Sequence, residues 1–189
     1  MRLFQLFLAA TLISCGVSSD VAFAQQASGK ATGKNAPATP PKPGDKFGEW
    51  TYQCDSLPKD APKDAHPACY VSQARVSTNE RGEQTRVLLV NLSKVGAERQ
   101  PALFVFLPFG VAVQQDVAVT VESSNIGLQG RVDTCLPAGC RVPFLLQREA
   151  QDLLRKNKTL WVSFAPIGGK NVRVEVPLDG FGAALAAIK

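Results

Sequence analysis

Five cysteines and one histidine are the side chains of this 189-residue chain that offer the most chemistry. Nucleophilic catalysis of the Ser-His-Asp or Cys-His kind needs a general base, and the sole imidazole is His66, in Asp64-Ala65-His66-Pro67-Ala68-Cys69. No nucleophile motif accompanies it, and its proline-rich surroundings read as a loop, so His66 is expected to be solvated. Sequence spacing marks no carboxylate dyad either. No catalytic residue is assigned, and the chain is read as a non-enzyme. Metal binding fares no better. Cys135-x4-Cys140 sits at the loose edge of zinc-ligand spacing and His66 stands close to Cys69, but Cys54 and Cys69 are too far apart for a knuckle. Met1 is the single methionine, which removes thioether copper ligation. No metal ligand, cofactor-binding residue or cofactor is therefore expected.

The chemistry that remains is oxidation of thiols, and its plausibility rests on export. Arg2 supplies a minimal positive region, and the stretch from Leu3 to Val17 is apolar apart from Gln5, Thr11 and Ser14. Ala22-Phe23-Ala24 then offers the small-x-small pattern of a secretory signal, with cleavage after Ala24 and Gln25 as the new N-terminus. The apolar stretch is too short for a stable membrane span, and no later segment approaches one. Leu12-Ile13-Ser14-Cys15 supports a competing reading as a lipobox, in which a lipidated Cys15 would tether the protein to a membrane. With ordinary cleavage, Cys54, Cys69, Cys135 and Cys140 remain, an even number that in an oxidising compartment suggests two disulfides. Four cysteines allow three pairings; proximity favours Cys54–Cys69 and Cys135–Cys140. On loop entropy the first would contribute about 3 kcal/mol and the second about 2 kcal/mol. The expected location is the periplasm, the outer envelope or the exterior.

These residues need elements to hold them. Residues 1–24 are the signal, and residues 25–44 are a run of Gly, Ala, Ser, Lys and Pro that cannot build a core and reads as a flexible linker. Lys30, Lys34 and Lys42 give that linker a basic character suited to anionic head groups or another polyanionic surface. Residues 45–189 hold 17 basic and 15 acidic side chains, so the folded part is nearly balanced and nucleic acid is not an expected partner.

From residue 46 onward the pattern is strands. They are expected at 47–54, 68–76, 85–92, 102–107, 117–121, 128–135 and 140–146, the last two flanking a tight turn at 136–139. A hairpin follows, with Leu160, Val162 and Phe164 on one face, Gly168-Gly169 in the turn, and Val172, Val174 and Val176 on the return. A helix is expected at 148–156, where Ala150, Leu153 and Leu154 make the apolar stripe and Asn157 takes a left-handed cap, and a second at 181–188. The runs at 85–92 and 102–107 are apolar enough to suggest burial on both faces. Leu103, Phe104, Phe106 and Phe109 are accordingly placed in the core, with an exposed contact patch as the alternative. Trp50 and Tyr52 are expected to cap one end of the core rather than to meet a ligand. Short strands at this spacing form a β-sandwich, large enough to bury a core with the disulfides as braces.

Six segments carry a family resemblance in one order: FGEWTYQCD (47–55), CYVSQ (69–73), FLPFGVAV (106–113), TCLPAGC (134–140), KTLWVSF (158–164) and VPLDGFGAAL (176–185). The chain resembles the invasion-associated locus B (IalB) family of alphaproteobacterial exported proteins from about residue 45 to its end. The resemblance implies an all-β, immunoglobulin-like β-sandwich with one or two short helices, and it matches the four domain cysteines to the family's disulfides. Asn157 stands where the family often has Gly. The resemblance transfers no enzyme activity; it implies an envelope interaction protein, linked in some pathogenic members to host-cell invasion or to envelope integrity. Its partner would be a protein or envelope component, with a host-cell surface among the candidates. Two other classes compete: a periplasmic enzyme or inhibitor acting on envelope components, and a thiol-redox or metal-handling protein.

Overall fold

The computed structural model of the protein describes residues 40–121 and 127–188. The expected signal, Cys15 and most of the expected linker lie outside the described residues. In chain order the elements are β1 (Lys46–Phe47), β2 (Trp50–Cys54), β3 (Cys69–Thr78), β4 (Gln84–Val95), β5 (Gln100–Leu107), β6 (Val117–Val121), β7 (Gly127–Gly130), β8 (Thr134–Leu136), β9 (Gly139–Leu145), α1 (Arg148–Lys156), β10 (Thr159–Phe164), β11 (Val172–Pro177) and α2 (Phe181–Ala187). A seven-stranded sheet in the order β1-β2-β3-β4-β5-β9-β8 faces a four-stranded sheet in the order β11-β10-β6-β7, and every strand pairing is antiparallel. This is a disulfide-braced, immunoglobulin-like β-sandwich in which the first five strands run as a consecutive meander.

Alternation builds the core. Leu88, Val90 and Leu92 of β4, and Leu103, Val105 and Leu107 of β5, point inward against Val117, Val119 and Val121 of β6 and Leu160, Val162 and Phe164 of β10. Each such side chain removed from water contributes roughly 1.5–3 kcal/mol. Trp50 and Tyr52 are buried, and α2 closes the same end with Phe181, Leu185 and Ile188. The Trp50 and Phe181 rings meet edge to face, 5.9 Å between centroids. Their approach depends on two interlocked turns. Gly48 (φ 59°) has Asp179 Oδ2 and its carbonyl oxygen where a Cβ would sit, at 2.5 Å, and a Cβ on Gly180 (φ 77°) would collide with the Phe47 carbonyl.

Several expectations need correction. The strand foreseen at 47–54 breaks at Gly48-Glu49 into β1 and β2. The strand foreseen at 128–135 is two strands in different sheets: the chain leaves β7, crosses at residues 131–133 and enters β8 on the other layer. Gly130 sits at that crossing, where a Cβ would press on Val142 and Phe144 at 2.9 Å. Asn157 is extended (φ −103°, ψ 157°) rather than left-handed, and its Nδ2 donates to the Leu153 carbonyl at 2.8 Å, so the side chain caps the helix. Apart from Ala102, the apolar runs at 85–92 and 102–107 are fully buried on one face only, because a two-layer sandwich leaves the outer face of each sheet open. Leu103 is core, but Phe104 and Phe106 are half-buried on the outside and Phe109 is exposed.

One inward position breaks the apolar pattern. Gln73 of β3 is 4% exposed, and neither its Oε1 nor its Nε2 has a hydrogen-bond partner among the described residues. A buried amide without partners costs about 1–3 kcal/mol. Gln73→Leu is therefore expected to stabilise the fold by about 1–2 kcal/mol, read as a higher urea midpoint at unchanged slope. A lower midpoint would mean that the amide is satisfied by water, and the argument would fail.

Candidate functional site

The outer face of the seven-stranded sheet carries an open trough of about 1120 Å³. Register builds its floor. Phe106 of β5 lies between Leu89 of β4 and Arg141 of β9, and Phe104 lies between Asn91 and Pro143. One strand further on, Ser72 of β3 faces Asn91. The result is a ridge of aromatic and aliphatic side chains interleaved with amide and hydroxyl groups. That combination offers apolar planes for a partner's rings or methylenes and polar groups that fix its orientation.

Charge is held in place around this floor. The Arg141 guanidinium lies over the Phe104 ring, 5.4 Å from its centroid. It also grips Asp133 in a fork, Nε to Oδ1 at 3.0 Å and Nη2 to Oδ2 at 2.8 Å. Lys94 and Arg99 line the trough at the β4–β5 end. Asp55 and Tyr70 line it near the Cys54–Cys69 bridge, where the Tyr70 hydroxyl donates to the Asp55 carboxylate. Burial, followed by the Asp55 charge and this hydrogen bond, pushes the Tyr70 phenol above its ordinary range. Tyr70 therefore stays neutral at physiological pH and acts as a hydrogen-bond donor, not a nucleophile. Asn91 lines the trough too, and its Oδ1 is buried with no donor among the described residues.

The cysteines frame this surface. Cys54 is bonded to Cys69 and Cys135 to Cys140, each pair directly opposed on neighbouring antiparallel strands. Cys69 lines one end of the trough, and Leu136 and Ala138, from the turn closed by the second bridge, line the other. His66 rims the first end. It is exposed, as expected for a loop histidine, and no described side chain hydrogen-bonds to it. Among the described residues, no group of three or more His, Cys, Asp or Glu is placed to hold a metal ion. No helix among them is long and apolar enough to cross a membrane. Residue types alone concealed Tyr70, Leu89, Asn91 and Arg141. Period-two alternation in β3, β4 and β9, combined with pairing register, would have grouped them.

The family model described as invasion associated locus B (IalB) protein matches residues 50–189. Invasion protein B of Bartonella bacilliformis is 29% identical over 191 residues, covering 97% of this chain and 95% of that protein. A crystal structure of invasion associated protein b from Bartonella henselae aligns with a TM-score of 0.59 at 23% identity, over 75% of this chain and 91% of that one. The sandwich is thus shared with a solved relative, and both relatives are named as invasion proteins rather than as enzymes.

Proposed function

Since the chain belongs to the invasion associated locus B family, we propose that it is an exported, non-enzymatic interaction module of the bacterial envelope that holds its partner in the outer-face trough. Cleavage after Ala24 releases it, residues 25–44 serve as its tether, and the disulfide-braced domain works in the periplasm or on the outer envelope. Its task there is host-cell contact or maintenance of the envelope. One observation carries the reading: Phe104 and Phe106 are held on the solvent face of a rigid sheet beside an immobilised Arg141, which serves recognition better than it serves the core. The donor and acceptor groups around them are positioned without an activated nucleophile, which supports binding over turnover.

A photo-crosslinking residue placed at Phe106 in living cells is expected to trap an envelope or host-surface component, whereas one at Glu175, on the opposite sheet, is not. Phe104→Ala should cut the trapped fraction about tenfold while costing about 2 kcal/mol of stability, less than a fully buried ring, because the side chain is partly exposed. Equal trapping from both faces would defeat the proposal. An impermeant amine label on intact cells reads the location in the same strain.

A further inference from the structure

A second surface lies at the pole where β5 ends. Two connections, residues 108–116 and 165–171, are zipped together there by backbone hydrogen bonds. Ala112 N donates to the Ala165 carbonyl and Ile167 N to the Gly110 carbonyl, both at 2.8 Å, and Val111 bridges Pro166. This rigid support holds two large apolar side chains out in solvent. Ile167 is 74% exposed and Phe109 67%, the two most exposed large hydrophobic residues described, and Val113 is exposed beside them in sequence. Chains that expose an isolated leucine are ordinary, but a backbone-braced pair of apolar tips is a contact device.

The charges around the tips indicate what they contact. Residues 108–115 carry no charged side chain, and residues 165–171 carry only Lys170. The nearest acid in sequence, Asp116, is paired with Arg131 at 2.6 Å. Arg173 follows the second connection and stacks on Trp161, 4.2 Å from the ring centroid. Arg86 lines the same hollow as Phe109. Of the acids Glu80 and Glu83 in the β3–β4 turn at this pole, Glu83 accepts from Asn79 Nδ2. Apolar tips with cations beside them fit a surface that is greasy at depth and negative at its face. Residues 44 and 45 pair with Tyr52, toward the Cys54 end and away from the tips. We infer that the Phe109–Ile167 pole docks on anionic lipid, with both side chains inserted among the acyl chains and Lys170 and Arg173 against the head groups.

The test uses the mature full-length protein and sedimentation with vesicles. Vesicles of phosphatidylcholine mixed with phosphatidylglycerol are expected to pull it down, and phosphatidylcholine alone much less. Each of Phe109→Asp and Ile167→Asp is expected to weaken binding about tenfold or more, since each removes a large inserted side chain and adds an anion. Leu145→Asp, at an exposed apolar position paired with Ala102 at the far end of β5, should leave binding unchanged. Retention of both tip variants at the wild-type level would show that the lysines of residues 25–44 carry the binding alone and would overturn the inference. Failure of the wild-type protein to sediment would overturn it as well. So would a lipid-independent dimer that the tip substitutions dissolve, because a second copy would then be what covers the tips.

Discussion

Trp50→Ala is expected to cost about 4 kcal/mol and to lower the thermal midpoint by roughly 12 °C. Trp50 is fully buried and is among the largest side chains in the core. Its removal does more than forfeit transfer energy. The ring fills the end of the sandwich between β2 and α2, and the site cannot collapse onto the gap, because Gly48 and Gly180 already hold the two flanking turns at backbone contact. Phe181 would lose its edge-to-face neighbour, and α2, a helix of seven residues, has little intrinsic stability of its own. Trp50→Phe should be far milder, below about 2 kcal/mol, since it keeps a ring against Phe181 and removes an indole N–H that has no acceptor among the described residues. Urea unfolding of the two variants measures both costs. If alanine costs no more than phenylalanine, α2 does not unfold with the sandwich, and the end-cap argument is wrong.

The same tryptophan shows why the fold was largely legible in the residues. An inward position on a strand is announced by alternation, and Trp50, Tyr52, Leu160, Val162 and Phe164 all obey it. Alternation within one strand does not say which face of a sheet is covered, however. Phe104 and Phe106 look like core by type, and only pairing register, which places them beside Asn91 and Arg141, shows that they form the trough. The change of layer between β7 and β8 was hidden for a related reason. An apolar-polar run reads as one strand whether or not the chain steps to the other sheet in its middle. Asn157 was misread because its cap is made by a side-chain amide in an extended residue, a substitute for the left-handed backbone its type suggested. Recognition surfaces are assembled across strands, so single-strand patterns conceal them.

Breaking the Cys54–Cys69 bridge is expected to cost about 3 kcal/mol, and breaking Cys135–Cys140 about 2 kcal/mol, because the longer loop loses more freedom in the unfolded chain when closed. For a domain of this size the first loss lowers the midpoint by roughly 10 °C. The loop from residue 55 to 68 makes few contacts that could replace the bond. Its backbone is held by turns at Ala61 and Ala65 and by one bond from Asp55 N to the Ala68 carbonyl at 2.9 Å. In Cys54→Ala/Cys69→Ala that loop, which carries Asp55 and His66 to the rim, should detach before the sheet does, so trapping from Phe106 should fall at temperatures where circular dichroism still reports a folded domain. The Cys135–Cys140 turn is different. Its strands are already paired, and Arg86 Nη2 donates to the Ala138 carbonyl at 2.7 Å, so its trough wall should survive reduction. Paired measurements of unfolding and trapping with and without reductant separate the two bridges. Equal costs would remove loop length as the cause, and unchanged trapping after loss of Cys54–Cys69 would mean that the partner does not reach the His66 end of the trough.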